Sequence, residues 1–477
     1  MVLVAIAMVG IIAMAALSID VITLYLAREE AQRSADQAAL AAARVISISG
    51  LTGNPNNAPP WGWVSVCGGP NSPASLAAIA VATQSAVGDA ATTPTVTYSA
   101  GGQSGPDCST FTAGGPFGVN PLVTVQLTRA NLPTFFSRIW GNTGNTVTAS
   151  ATAEVFNSSA SDLNSNGGPT GSVTPVLPSC VKPWVVPNLD PLNPKNPPNC
   201  KTNCLPFVST TDGSIQNPGI SLGGGSATGV IGETFWLVLD CQRAKSSYCE
   251  LRGIVTPTQP EANYPSGTKS VEGPPNLLYV PGQVGTQVNA IPSCAQGDPY
   301  EEAIGGCDSP TNYQCGVPPP TGNNVVDMSL NPDTSGDTTN GVKCLTHQTD
   351  ETDTTEPTGQ DYLNTYAAPG SYPFQILAGT SNPLGPSLAG SPISSSNSIA
   401  TLPIYDNSPG TPQINNTGTT TDVTFVGFLQ VFINAVDQYG NVNVTVLNVA
   451  GCGNGTTPLN FPVTGSSPVP IRLVTPP

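Results

Sequence analysis

Charge is what this chain has least of. Only 9% of its 477 residues are Asp, Glu, Lys or Arg, against roughly 25% in ordinary soluble domains. Lys and Arg number 14 and Asp and Glu 30, a net charge of −16. Binding a nucleic-acid backbone needs clustered cations that displace counterions from phosphate. No such cluster exists here, so no nucleic-acid partner is expected. Histidine is scarcer still: His347 is the single one, and any Ser-His-Asp or Cys-His relay would have to use it. It stands in the polar stretch Cys344-Leu-Thr-His-Gln-Thr-Asp350, where a surface residue is expected. The chain also lacks a G-x-S-x-G elbow, an H-E-x-x-H pair, a P-loop and a G-x-G-x-x-G after a strand. Asp333-Thr-Ser-Gly-Asp337 ends in Asp where the Asp-x-Ser-x-Ser metal motif needs Ser, and Asn331-Pro332 before it is no buried strand. Glu301 and Glu302 follow Tyr300 without an acid–base signature. No enzyme and no cofactor are expected.

Paired Cys-x-x-Cys spacings are absent as well. The 12 cysteines are Cys67, Cys108, Cys180, Cys200, Cys204, Cys241, Cys249, Cys294, Cys307, Cys315, Cys344 and Cys452. Zinc sites pair thiols at short spacing with further thiols or histidines, and only Cys200 and Cys204 come near that. An even number of cysteines without metal spacing predicts disulfides in an oxidising compartment. The bulk of the chain is therefore expected outside the cytoplasm. Short-range pairs such as Cys200–Cys204 or Cys241–Cys249 are compatible with the spacing, which leaves the connectivity open.

Turn formers are plentiful, with Gly 50 and Pro 49. Mean hydropathy is −0.00, too apolar for a charge-rich disordered chain, so a turn-rich β protein of two or three domains fits. Few titratable groups and a pI near 4.2 also suit acidic surroundings.

The stretch that organises the rest is the first. Met1 to Ile19 carry no charged side chain; Asp20 is the first charge and Arg28 the next. That is the length a helix needs to cross a hydrocarbon core of roughly 30 Å. From Leu26 to Ile46 the pattern turns amphipathic and Ala-rich without a Pro or Gly before Gly50, and its residues are strong helix formers. One continuous helix of about 45 residues, ~70 Å long, is expected. A signal peptide would have a shorter apolar core behind a basic flank; an ordinary single-pass anchor remains an alternative. No Lys or Arg precedes the helix, so charge does not orient it, and Met1 is expected to follow a removed leader or a later start. A carboxylate at the edge of an apolar helix is costly in lipid and usually has a partner. Asp20 is expected to meet a neighbouring subunit's N-terminal amine or Arg28.

Over Val2 to Ala43 the chain resembles the N-terminal segment of TadG-like and TadE-like proteins of the Tad (Flp) pilus-assembly family. The residues are VLVAIAMVGIIAMAALSIDVITLYLAREEAQRSADQAALAAA. Asp20, Tyr25, Arg28, Gln32, Asp36 and Ala38 to Ala43 stand at that family's pattern positions. A second, weaker resemblance covers Leu132 to Val155 (LPTFFSRIWGNTGNTVTASATAEV). The resemblance implies helix assembly through Asp20, Tyr25, Arg28, Gln32 and Asp36.

Farther on, Ser72 before Pro73 predicts a helix to about Asp89, with Ser72 as its N-cap. Val- and Thr-rich alternation predicts strands over Thr93 to Ala100, Pro121 to Arg129 and Asn145 to Phe156. Trp61 and Trp63 are expected to pack, and an exposed carbohydrate-gripping patch is the alternative. Residues 158–178 read as a linker. They hold Asp162, Asn164 and Asn166 in a calcium-like opening that lacks its closing Glu at Val173, so calcium is possible there and a flexible turn the plainer reading. Past Cys180 only short strands are expected: Thr234 to Cys241, Asn276 to Gly282, Thr421 to Val436, Asn441 to Val449 and Val469 to Pro477. Asp437 to Gly440 reads as a hairpin turn, and Pro318 to Pro373 as a surface excursion. KPWVVPN at Lys182 to Asn188 has no assigned role.

The expected fold is α+β. A hydrophobic, then amphipathic helix (1–48) leads to a small pilin-like α+β head (49–157), a linker (158–178) and a disulfide-stapled, loop-rich, sandwich-like β region (179–477). The expected function is a structural pilin-like subunit of a Tad/Flp-type filament. A membrane-anchored adhesin or an accessory protein of the assembly machinery is the alternative. Expected partners are copies of itself, other pilus subunits and the membrane; the expected location is the bacterial inner membrane and cell surface.

Overall fold

The computed structural model describes residues 2–48, 64–100, 103–109, 111, 121–134, 141, 144–155, 176–178, 181–193, 205–210, 213, 215–217, 229–240, 276–284, 298–306, 313, 324–327, 336–347, 359–364, 375–393, 396–408, 414, 420–437, 440–452, 463–465 and 471–474. The helices are α1 Val2–Ile48, α2 Val64–Cys67, α3 Pro73–Gln84, α4 Pro299–Gly305 and α5 Asp337–Thr346. The strands of the first half are β1 Thr95–Ala100, β2 Gln103–Gly105, β3 Leu122–Leu132, β4 Asn145–Val155, β5 Val176–Pro178, β6 Trp184–Pro187, β7 Thr234–Leu239, β8 Asn276–Pro281 and β9 Val325–Asp327. Those of the second are β10 Tyr362–Asn364, β11 Gln375–Leu377, β12 Pro392–Ile393, β13 Ile399–Tyr405, β14 Thr420–Asp422, β15 Phe425–Val436, β16 Val442–Gly451, β17 Val463–Gly465 and β18 Ile471–Val474.

α1 is a single helix, as its helix-forming composition predicts. Its second half lies on an antiparallel sheet ordered β18-β4-β3-β1-β2. Ala35, Ala38, Ala39, Ala42 and Ala43 are buried with Ala151 and Ala153 of β4 and Val123, Val125 and Leu127 of β3. Small side chains on both surfaces let helix and sheet approach closely. Replacing Ala38 by Leu is expected to overpack this seam at a cost of about 1–3 kcal/mol, read as a lowered midpoint in denaturant. The outer face of the sheet is threonine-lined: Thr124 and Thr152, directly opposite across β3 and β4, share a 2.8 Å hydroxyl hydrogen bond, a cross-strand pair of the kind that fixes register. α3 packs Ala74, Ala78 and Ala82 against the same core. Ser72 stands at its N-cap position, yet its hydroxyl does not cap the helix. It donates to Ser75 Oγ at 3.0 Å, and Ser75 in turn bonds the Tyr98 hydroxyl at 2.8 Å. The helix stops at Gln84, short of the expected Asp89, and Gly88 and Asp89 turn the chain with positive φ.

Two expectations for the rest are corrected. The region read as sandwich-like holds a closed six-stranded barrel in the order β13-β15-β16-β7-β8-β6. β7 pairs with β8, and β6 with β13, in parallel; the other neighbours are antiparallel. The barrel strands are buried along nearly their whole length: β6 and β8 expose no residue and β15 none from Phe425 to Ile433. Burial on both faces removes the apolar–polar alternation that a half-solvated sandwich shows. Secondly, the stretch from Pro318 to Pro373, read as a surface excursion, contains α5, whose Thr338, Thr339, Val342 and Leu345 are buried. α5 crosses α4 at Gly341, where a Cβ would stand 2.9 Å from Ile304 Cβ and 3.1 Å from the Glu301 carbonyl. Lys182 lies wholly buried beside them. Its Nζ donates to the carbonyls of Ile304 and Gly306 at 2.7 Å each, a cation at a helix C-terminus. Lys182→Met would leave both carbonyls unpaired in the interior, an expected loss of about 1–3 kcal/mol measurable by chemical denaturation.

The far end of the chain returns to the head. β18 runs antiparallel to β4 with Ile471 opposite Val155 and Val474 opposite Thr152. The end of α1 also touches the barrel, where Asn448 Nδ2 donates to the Ser47 carbonyl at 2.9 Å.

Candidate functional site

α1 projects its first half past the head. Its described large apolar side chains there, among them Val4, Met8, Ile11, Met14 and Leu17, are all exposed, and the exposure continues through Val21, Ile22, Tyr25 and Leu26. Among the described residues no helix is long and apolar enough to cross a membrane. A membrane-crossing segment was expected in α1; beyond Leu17 its apolar run is interrupted by Asp20, Thr23 and Arg28.

The five residues singled out by the family pattern divide into two sets. Asp20 is 5% exposed. It shares the helix face of Leu24, Ala27 and Ala31, which pack on Val87, Leu132, Val147 and Ala149, and it is engaged within the fold. Spacings of three and four residues put these positions on one side of a helix. Asp20 thus sits on the side of the helix that faces the head. Gln32 Nε2 donates to Asp36 Oδ1 at 2.8 Å and to the Ser150 carbonyl at 3.1 Å, stitching α1 to β4. Glu30 adds a second stitch, accepting from the Gly88 N–H at 2.9 Å. Tyr25 and Arg28 make the other set. Tyr25 is 64% exposed, and both side chains line a cleft of about 320 Å³ with Val21 and Leu24 on the helix and Thr146, Val147 and Thr148 on β4. The sequence pattern marked Tyr25 and Arg28 but gave no sign of the β4 wall, which lies more than a hundred residues away.

The cysteines behave as expected where they are described. Cys67 and Cys108 form a disulfide across the head, Cys344 and Cys452 are also disulfide-bonded, and no described cysteine is free. Cys180, Cys200, Cys204, Cys241, Cys249, Cys294, Cys307 and Cys315 lie outside the described residues, as do Trp61, Trp63 and the calcium-like Asp162, Asn164 and Asn166. Among the described residues no three His, Cys, Asp or Glu are placed to hold a metal ion. His347 ends α5 in the left-handed region and pairs through Nε2 with Asn397 Nδ2 at 2.9 Å.

One buried pair was missed by sequence reasoning. Asp190, fully buried after β6, and Glu233, 2% exposed before β7, lie together at the end of the barrel where β6 finishes and β7 begins. Burial pushes both carboxyls above their usual range, and for Glu233 the neighbouring Asp190 charge adds to it. The Leu192 N–H donates to Asp190 Oδ1 at 3.0 Å, and the Glu233 carboxyl is hydrogen-bonded to the Asp190 carboxyl. Two carboxyls this close share a proton more readily than they both ionise.

Residues 1–45 match the family described as putative Flp pilus-assembly TadE/G-like. The likeness to that family thus covers most of α1, in line with the resemblance read from the sequence. No curated protein and no solved structure matches the chain.

Proposed function

We propose that this chain is a structural, pilin-like subunit of a Tad/Flp-type surface filament, held in the assembly by the first half of α1. The observation behind this reading is the apolar face of α1 that leaves the head and is covered by nothing among the described residues. Burying each large side chain on it contributes about 1.5–3 kcal/mol, so the face favours association strongly. Ala5, Ala7, Gly10, Ala13, Ala15 and Ala16 permit the close helix approach that packing without water depends on. Other α1 helices, and lipid before assembly, are the covers that fit this chemistry. The head and barrel are displayed at the cell envelope and surface, stapled by disulfides, and the protein does mechanical rather than catalytic work. Asp20, Gln32 and Asp36 fix α1 on its own head, while Tyr25 and Arg28 stand where a neighbour reaches them.

The test is Leu17→Asp. The substitution lies outside the packed core, so the purified chain is expected to melt as the parent does. Its recovery in fibres sheared from cells, imaged by negative stain and identified by mass spectrometry, is expected to fall about tenfold or more, since each 1.4 kcal/mol is tenfold in an association constant. Undiminished incorporation would refute the reading. A chain found only in the envelope, and in no fibre, would instead make it an accessory or adhesive protein.

A further inference from the structure

Among the described residues β4 is paired on its outer side over about a third of its length. β18 covers Thr152 to Val155, and among the described residues no strand pairs with the outer edge from Thr146 to Ala151. The parity of that edge follows from two hydrogen bonds. The Val155 N–H reaches the Pro121 carbonyl on the β3 side, while the Ser150 carbonyl faces outward and accepts from Gln32. In an antiparallel ladder the N–H and C=O of one residue point the same way and alternate along the strand. Thr148, of the same parity as Ser150, therefore turns its backbone donor and acceptor outward. Gln32 caps the ladder at Ser150 and separates the paired stretch from the open one. The open stretch is also one wall of the 320 Å³ cleft, whose other wall is α1 at Val21, Leu24, Tyr25 and Arg28. Unpaired backbone, apolar side chains and a guanidinium thus converge on one groove.

We propose that this groove is a strand-addition site that takes an extended segment of a second copy of this chain. Main-chain pairing to an open edge supplies affinity, and pockets for alternate side chains supply selectivity. The incoming strand adds to β4 at Thr148, lays every second side chain on Val21, Leu24 and Tyr25, and brings a carboxylate to Arg28. Arg28 makes no ion pair among the described residues, and a chain with 30 acidic against 14 basic residues has carboxylates in excess. The second copy is the occupant because the groove continues the exposed apolar face of α1, with Val21 and Tyr25 belonging to both; in this respect the inference rests on the filament reading above. An edge that accepts a strand from the next copy makes a head-to-tail contact, which propagates rather than closes.

The full chain carrying benzoylphenylalanine in place of Tyr25, made as an equal mixture of light and heavy isotope forms and irradiated as assembled material, tests this. Mixed light–heavy cross-linked peptides, both from this chain, are expected. Thr148→Pro removes the outward N–H without touching the β3 ladder and is expected to lower the mixed product about fivefold, the effect of one net hydrogen bond; Thr148→Val retains it. Cross-links within single copies only, adducts to no peptide of this chain, or a yield unmoved by Thr148→Pro would each overturn the proposal. If Leu17→Asp abolishes incorporation while no mixed product forms in the parent, strand addition falls and the helix reading stands. If mixed product persists in Leu17→Asp, the helix reading falls and strand addition stands.

Discussion

Replacing both Cys67 and Cys108 by serine is expected to destabilise the head by about 4 kcal/mol, the chain-entropy value for a loop of this size. The two cysteines are 41 residues apart in sequence, and both are buried in the core that also holds Ala42, Val45, Ala74 and Tyr98. The bridge spans the connection from α2 through α3 to the end of the β1–β2 hairpin, so it constrains the part of the head on which α1 lies. Its loss is expected to lower the melting temperature of the head on the order of 10 °C. Hydrogen exchange locates the effect: amides from Ala35 to Ala43 should exchange faster, while those of β15 and β16 in the barrel should not change. A double serine variant separates this bridge from those of Cys344 and Cys452, which a reductant would break at the same time. An unchanged melting profile would show that the helix–sheet seam holds the head without it.

The contrast between what could and could not be read beforehand has a physical pattern. α1 was legible because composition alone decides it, with only Gly10 to weaken 47 residues of helix. β1, β3 and β4 were legible because one face is wet: Thr124, Gln126 and Thr128 alternate with the buried Val123, Val125 and Leu127. The hairpin of β15 and β16 was legible in its turn, where Asp437 accepts from the Asn441 N–H and Gly440 adopts positive φ. The barrel was not. Its closure depends on the parallel pairings of Ile404 with Val186 and of Val238 with Leu278, and no local pattern encodes a partner that far along the chain. α5 was hidden for a different reason: Asp337-Thr-Thr-Asn-Gly has poor helix propensity, and burial against α4 overrides it. β18 was seen as a strand, but its return to β4 was not. The same limit applies to the site, since a family pattern can mark Tyr25 and Arg28 but not the strand edge that completes their groove.

Glu233→Gln is expected to stabilise the protein at neutral pH and to flatten its pH dependence, because the parent keeps two carboxyls in one dry site. Both Asp190 and Glu233 titrate above their ordinary values through burial, and Glu233 is pushed up to about 10 with the Asp190 charge contributing. A carboxyl whose folded value is raised binds a proton that the unfolded chain has already released. Its contribution is therefore fully present below the unfolded value, near 4.3 for Glu, and is lost as pH rises toward the folded value. The limiting slope for one such group is about 1.4 kcal/mol per pH unit. Between pH 4.5 and 6.5 the parent should thus lose stability steadily, as Glu301, raised by burial and by Asp337, Asp298 and Glu302, pulls in the same direction. The buried Lys182, drawn down to about 7, stays mostly protonated across that window and adds only a small opposing slope at its upper end. The glutamine amide cannot ionise and can donate to Asp190, whose charge the Leu192 amide already helps to hold. Denaturation midpoints of parent and variant should therefore lie close at pH 4.5 and diverge by pH 6.5 in favour of the variant. Parallel curves would mean that Asp190 and Glu233 do not share a proton in the folded chain. A barrel built to keep that proton is most stable in acid, which agrees with a chain of so few cations and so low an isoelectric point.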